Sequence, residues 1–345
     1  MMMRIAINGM GRIGRLLFRR LIEHEQFEIV AVNDTMPVDN LAYLLKYDSV
    51  YGTFVNDIAV ENGTIEVSDK KIAVFKTEDP LQLPWKELDI DVVLECTGSF
   101  TTKAAAEKHI LAGAKKVLLS TTGAADIPLL IYGFNQNRLA NDTDVISPGG
   151  CMTNCSIHVL YILNSISIKS AHLNILHSYT SRQELVDAPN KNFRRGRAAA
   201  ESIIPVDIDL HKSLERLMPA MQNKISASSI RVPVANGAMA VFSIQLNGEI
   251  SAEKVNMLFK KASGNAYSDI IEYTEEPVVS LDIKGNTHSC IIDGTLTSVI
   301  GNHLNMVAWF DNEYGFTSRM IDWLGVLNGL LQKNERLVIE NETHS

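Results

Sequence analysis

The tightest constraint on this chain is a run of glycines near its start, Gly9-Met10-Gly11-Arg12-Ile13-Gly14. Before it, "RIAING" (4–9) is a short apolar strand. After it, "RLLFRRLIEH" carries apolar residues at 16, 17, 18, 21 and 22, a helical spacing. "EIVAVND" (28–34) reads as a second strand, and it ends in Asp34. A chain that reads strand, G-x-G-x-x-G, helix, strand, acid is confined to a parallel βαβ unit. Its glycines let backbone approach a pyrophosphate at a helix N-terminus. Gly9, Gly11, Arg12, Ile13 and Gly14 are therefore candidate cofactor contacts. The Asp34 carboxylate would accept hydrogen bonds from ribose hydroxyls and repel a 2′-phosphate, which selects NAD over NADP.

"IDVVLECTG" (90–98) and "AKKVLLSTT" (114–122) read as two more buried strands. In a doubly wound sheet the strand C-termini line the ligand crevice, so Thr97, Gly98, Ser120 and Thr121 should face the cofactor. Beyond residue 155 the texture changes. "AHLNILHSYTS" (171–181), "SIRVPVANG" (229–237), "AVFSIQLN" (240–247) and "CIIDGTLTSVI" (290–300) alternate apolar and polar, as antiparallel strands covered on one face do. Helical patterns lie at 156–166, 198–217 and 251–263. The stretch 315–333 is an amphipathic helix expected to pack back on the first domain. The fold class expected is α/β: a Rossmann-type doubly wound parallel sheet over 1–150, and an α+β catalytic domain with a mixed, mostly antiparallel sheet over 151–314. The polar tail, 332–345, is expected to fray at its end.

A net charge of −8 argues against a nucleic-acid or anionic-membrane partner as the main role. No apolar run reaches the roughly 18 residues of a spanning helix, and the N-terminus turns polar too early for a secretory signal. Four cysteines in 345 residues make no disulfide framework, and a reducing cytoplasm is the expected setting.

Two of those cysteines stand four apart in "SPGGCMTNCS" (147–156), ahead of an apolar stretch. Cys151 opens that stretch, and a helix N-terminus should favour its thiolate. His177 ends the apolar strand "LNILH" and is the histidine best placed to act as its base. A zinc site through Cys151 and Cys155 would need a second ligand pair, which is lacking, so no metal is expected. Cys155 lies one turn deeper and reads as packing.

The chain resembles the phosphorylating glyceraldehyde-3-phosphate dehydrogenases and the related erythrose-4-phosphate dehydrogenases. The carriers of the likeness, in order, are "INGMGRIGR", "KYDSVYG", "LPW", "ECTG", "AGAKKVLLS", "CMTNC", "HSYTS", "RRGRAAAESIIP", "RVP" and "WFDNEYGF". By that resemblance Cys151 is the nucleophile and His177 its base. A thiohemiacetal forms, hydride passes to NAD, and phosphate cleaves the resulting thioester. Asn312 corresponds to the residue that hydrogen-bonds the nicotinamide amide, and Tyr314 to the aromatic beside it. Thr153, Thr180 and Arg231 are the substrate-binding candidates, the last two matching the grip on the substrate's terminal phosphate. Arg194, Arg195 and Arg197 fall in a long inter-subunit loop and read as anchors. The resemblance implies a cytoplasmic homotetramer acting on a phosphorylated aldehyde.

The chain departs from the family pattern at several points. Gly150 stands where a serine usually precedes the nucleophile, and Met152 replaces a threonine. "IIPVDIDLHKS" lacks the usual threonine-glycine pair and brings Asp207 and Asp209 instead. Lost hydroxyls and added carboxylates should weaken the site for inorganic phosphate. Three readings follow: oxidation of glyceraldehyde 3-phosphate, oxidation of erythrose 4-phosphate with water resolving the thioester, or a non-enzymatic NAD-binding paralogue. Joint retention of Cys151, His177, Thr180, Arg231 and Asn312 argues against the third.

Overall fold

The computed structural model describes residues 2–343, with side chains described as far as residue 333. Residues 344 and 345, the end of the tail expected to fray, lie outside that range. Two compact units emerge. One holds the chain as far as Gly149 together with the chain from Arg319 onward, and the other is Gly150–Ser318.

The first unit is built on an eight-stranded sheet. Its order is Val145–Ile146, Lys116–Leu119, Val92–Glu95, Met3–Asn8, Phe27–Asn33, Lys70–Phe75, Thr64–Val67 and Ile58–Glu61. The first six strands run parallel, and the last two fold back antiparallel. From Met3–Asn8 the chain winds first to one side and then to the other, so the switch point falls at the end of that strand. Every residue of Val92–Glu95 and Lys116–Leu119 is buried, as expected for parallel strands covered on both faces. The helix Arg12–Leu21 buries Leu16, Leu17, Phe18 and Leu21.

The antiparallel pair at the sheet edge extends the sequence reading. Asn62 and Gly63 both sit at positive φ in the turn between Ile58–Glu61 and Thr64–Val67, the backbone that a tight hairpin demands.

The second unit carries a seven-stranded sheet in the order Ile204–Val206, Ile225–Val232, Ile168–Ser178, Ala238–Leu246, His303–Phe310, Cys290–Ile300 and Ile271–Thr274. Ile168–Ser178 pairs in parallel with Ile225–Val232, as does Ile271–Thr274 with Cys290–Ile300; the remaining pairs are antiparallel. Alternation is strict along Ala238–Leu246, with every second residue buried. The helices Cys151–Leu163, Leu210–Leu217 and Ala252–Ser263 pack against the strands.

Two helical expectations need correction. The helix patterned over 156–166 runs Cys151–Leu163, so Cys151 opens it as expected and only the outer bounds shift. In 198–217, only Leu210–Leu217 is helical. Pro205 would break a helix interior, and Ile204-Pro205-Val206 instead forms a short edge strand beside Ser229–Arg231, where a missing N–H does no harm. The last helix runs Tyr314–Thr343, and Met320, Trp323, Leu324 and Leu327 are fully buried along it.

Candidate active site

The candidate residues gather into two groups, each inside one unit. In the first unit, Gly9 follows the first strand at φ +92°, and a Cβ there would lie 2.6 Å from Thr97 N. A Cβ on Gly14 would strike Gly9 O at 2.1 Å. These two glycines make the turn and seat the helix on it. Gly11 differs, since a Cβ there would meet nothing within 4 Å. It is the N-cap of Arg12–Leu21, with no side-chain cap and no acid in the first turn. An open berth of this kind at a helix N-terminus suits a pyrophosphate, and the N–H groups of Arg12 and Ile13 belong to that turn. The Arg12 side chain pairs with Asp48 at 2.5 Å. Asp34 ties the turn down: Oδ2 accepts from Met10 N at 2.6 Å and Oδ1 from Met36 N at 3.0 Å.

Beneath the turn lies a buried polar network that sequence reading missed. The Glu95 carboxylate accepts from Asn8 Nδ2, from Thr97 N and, in a short bond, from Thr97 Oγ1. Trp85 Nε1 donates to His109 Nδ1 at 3.0 Å, which leaves the His109 proton on Nε2, 3.0 Å from Glu95 Oε2. Asn33 Nδ2 donates to Asn8 Oδ1. The ends of three neighbouring strands are thereby joined just where Gly9, Asp34 and Thr97 follow. A signal existed in the polar residue that closes each apolar run, at Asn8, Asn33 and Glu95. Gly98 follows Thr97 at φ +70°. Ser120 N donates to Glu95 O, and Thr121 O accepts from Ser147 Oγ, which places both hydroxyl residues at the C-terminal edge of the parallel sheet.

In the second unit Cys151 is the first residue of its helix, behind an N-cap at Gly150 that offers no side chain. Its Sγ lies 3.7 Å from His177 Nε2. His177 Nδ1–H donates to Ser178 O at 2.8 Å, so the lone pair on Nε2 is the one that faces the thiol. Parallel pairing places His177 opposite Arg231, on neighbouring strands. Arg231 Nη1 donates to Ser178 O at 3.3 Å, so one carbonyl steadies both side chains.

The expected low-pKa thiolate is not what this environment favours. Burial pushes the Cys151 thiol up to about 11, opposed by the nearby Arg231 charge and the Met152 N–H of the helix start. Burial likewise lowers His177 to about 3, helped by Arg231. The helix N-terminus acts in the expected direction but is outweighed by desolvation. At neutral pH the pair is a neutral thiol beside a neutral imidazole.

Thr153 is buried in the first turn of the Cys151 helix. Thr180 lies just past the end of the His177 strand, where its hydroxyl donates to Gln183 Oε1 at 3.0 Å. Arg195 and Arg182 both act electrostatically on Arg231, so Arg195 belongs with this group as well as with its loop. Asn312 Oδ1 accepts from Ser178 Oγ and from Gly237 N. Tyr314 opens the last helix, and Asp311 Oδ1 accepts its N–H at 2.8 Å. Cys155 and Cys290 are fully buried. Among the described residues, no cluster of three His, Cys, Asp or Glu could hold a metal ion.

Comparison with known proteins gives matches in both halves of the chain. The family model described as "Glyceraldehyde 3-phosphate dehydrogenase, NAD binding domain" matches residues 3–103, and that described as "Glyceraldehyde 3-phosphate dehydrogenase, C-terminal domain" matches 150–312. Glyceraldehyde-3-phosphate dehydrogenase 2 of Bacillus subtilis (strain 168) is 37% identical over 325 residues, spanning 93% of this chain and 96% of that one. Glyceraldehyde-3-phosphate dehydrogenase 1 of Bacillus cereus is 38% identical over 324 residues, 93% of this chain and 97% of that one. With both domain models matched and identity of this order along nearly its whole length, the chain belongs to the glyceraldehyde-3-phosphate dehydrogenase family of oxidoreductases, and its cofactor is NAD.

Proposed function

We propose that the chain oxidises glyceraldehyde 3-phosphate through covalent attachment to Cys151. The observation that carries this reading is the Cys151–His177 pair, 3.7 Å apart, with the acceptor nitrogen aimed at the thiol. Both groups are neutral at rest, so His177 Nε2 takes the thiol proton as Sγ attacks the aldehyde carbon. The imidazolium returns that proton to the carbonyl oxygen, giving a thiohemiacetal, and the neutral imidazole takes it back from the hydroxyl as hydride departs. Arg231 steadies the thiolate as it forms, consistent with its downward pull on the thiol. NAD, when bound, supplies the hydride acceptor. Gly9, Gly11, Arg12, Ile13, Gly14 and Asp34 would hold its pyrophosphate and ribose, with Thr97, Ser120 and Thr121 along that edge. By the family resemblance, Asn312 and Tyr314 would serve the nicotinamide. The thioester left on Cys151 is resolved by phosphate, and Thr153, Thr180 and Arg231 serve the substrate.

A second reading, oxidation of erythrose 4-phosphate with water as acyl acceptor, draws support from Gly150, which offers no hydroxyl beside the nucleophile. The carboxylates argue less strongly for it than the sequence suggested. Asp209 is exposed and held by Lys212 at 2.7 Å, so its charge is largely answered.

A cytoplasmic homotetramer is part of the same proposal. Leu185, Val186, Phe193 and Ile203 are strongly exposed, as residues awaiting a neighbouring subunit are. Among the described residues no helix is long and apolar enough to cross a membrane. The test is NADH formation from glyceraldehyde 3-phosphate and erythrose 4-phosphate, each with and without inorganic phosphate. Turnover of the first that depends on phosphate supports the leading reading. Phosphate-independent turnover of the second favours the alternative, and no turnover of either sinks both.

A further inference from the structure

Gln183 Nε2, Arg231 Nε and Arg195 Nη1 are among the buried donors of the second unit that have no acceptor. Gln183 and Arg231 are each only 8% exposed, so solvent does little to answer them. Burying such groups unpaired is costly, more so for a charged one, which makes their convergence informative. Chain geometry brings them together. Thr180 follows His177 by three positions, and His177 is in register with Arg231. Glu184 N donates to Arg195 O and Ala199 N to Glu184 O, folding the Arg195 turn back along Gln183. That turn has little freedom, because a Cβ on Gly196 would lie 2.3 Å from Ala188 O.

The orientation of the Gln183 amide is settled by its partners. Oε1 accepts from Thr180 N at 2.9 Å and from Thr180 Oγ1 at 3.0 Å. A flipped amide would set Nε2 against a backbone N–H, donor against donor. Nε2 is therefore the end that faces away from Thr180. The same bonds occupy Thr180: its hydroxyl proton goes to Gln183, and its oxygen accepts from Arg182 N at 3.3 Å. Arg231 has the Cys151 thiol and two further arginines, Arg195 and Arg182, as its electrostatic neighbours. A cluster with several cations and an orphaned neutral donor is suited to a dianion, and a phosphate monoester is the matching chemistry.

We propose that Gln183 Nε2 is a direct ligand of the substrate's terminal phosphate, and that Thr180 acts there by orienting Gln183 rather than through its own hydroxyl proton. This rests on the reading of a phosphorylated aldehyde as substrate, and it reassigns the donor at that corner of the site. Arg231 and Arg195 supply charge, and Gln183 supplies a neutral donor whose direction is set by its bonds to Thr180.

The test is titration calorimetry of the full chain with glycerol 3-phosphate, a phosphate monoester that has no aldehyde. Gln183→Met, which keeps the length and removes the amide, should bind it roughly 10- to 100-fold more weakly than wild type. Gln183→Glu keeps an acceptor towards Thr180 but replaces the donor with a charged oxygen, and it should bind more weakly still. A loop that had merely lost its shape would slow every aldehyde. The ratio of kcat/KM for glyceraldehyde 3-phosphate over unphosphorylated glyceraldehyde should instead fall in step with the binding. Unchanged affinity in both variants, or an unchanged ratio, overturns the assignment, as does a wild type that does not bind glycerol 3-phosphate. A wild type that binds it yet forms no NADH from glyceraldehyde 3-phosphate overturns the proposed activity and leaves the phosphate site standing.

Discussion

Ser178 Oγ donates to Asn312 Oδ1 at 3.2 Å, joining residues 134 positions apart in the chain. Gly237 N donates to the same oxygen at 2.9 Å. The amide oxygen is thus spent inside the protein, and Nδ2 is the end left for a ligand. Asn312→Asp keeps both internal bonds and removes that donor. Its KM for NAD should rise roughly tenfold, the worth of one hydrogen bond of about 1.5 kcal/mol, with little change in Tm. Steady-state kinetics at saturating aldehyde decide it, and an unchanged KM would remove Asn312 from the cofactor site.

His177 should reveal itself twice. Its folded pKa of about 3 lies below the unfolded 6.5, so the unfolded chain binds the proton first. Stability from this residue is therefore complete above pH 6.5 and drains as pH falls towards 3. By pH 4.5 the loss should reach about 2–3 kcal/mol. In His177→Asn that component of the acid loss should vanish, and kcat/KM at neutral pH should fall by roughly 10²–10⁴ for want of a base. Urea denaturation at pH 7 and pH 4.5 checks the first. An identical pH dependence in the variant would show that His177 titrates alike in the folded and unfolded chain.

Asp34→Ala should relax the preference for NAD over NADP, since both the ribose acceptor and the repulsion of a 2′-phosphate go. A structural cost is expected alongside it. Met10 N and Met36 N lose their acceptor, which should cost about 1–3 kcal/mol of stability. The ratio of kcat/KM for the two cofactors, with thermal denaturation, separates the two effects. A lower Tm with an unaltered ratio would leave Asp34 as a turn residue alone.

Gly150→Ser tests the phosphate step. Gly150 caps the Cys151 helix without a side chain, so serine there adds a hydroxyl beside the nucleophile. Half-saturation by inorganic phosphate should shift to lower concentration by roughly tenfold or more, the worth of one bond to a charged group. Wild-type rates that already saturate at sub-millimolar phosphate would contradict the weak site inferred from Gly150.

Some of this was legible in the residues and some was not. Gly9, Gly11 and Gly14 announced the first βαβ unit because their spacing answers steric demands within a few residues. The strand Cys290–Ile300 was read from alternation and has those bounds, although its first five residues are all buried. His303–Phe310 alternates as well, but its end overlaps "WFDNEYGF", a stretch read for function, and the strand passed unnoticed. The pairing of Cys151 with His177 was guessed from residue types, yet their neutrality was not, because desolvation depends on what the whole unit packs around them. Gln183 carried no signal at all. Its importance lies in which of its atoms lacks a partner, and that is visible only in three dimensions.

The register of the His177 strand has a consequence for changes in chain length. Ala171–Ser178 runs beside Ile225–Val232 without a bulge. One residue inserted between Ala171 and His177, or between Ile225 and Arg231, would turn the affected side chain to the opposite face of the sheet. Two inserted residues would restore the face but slide the side chain along it by about 7 Å. Neither imidazole nor guanidinium could then serve Cys151. The exposed turn at 247–249, at the far end of the same sheet, is under no such restriction. Insertions and deletions compatible with activity should collect there, leaving the two strands fixed in length.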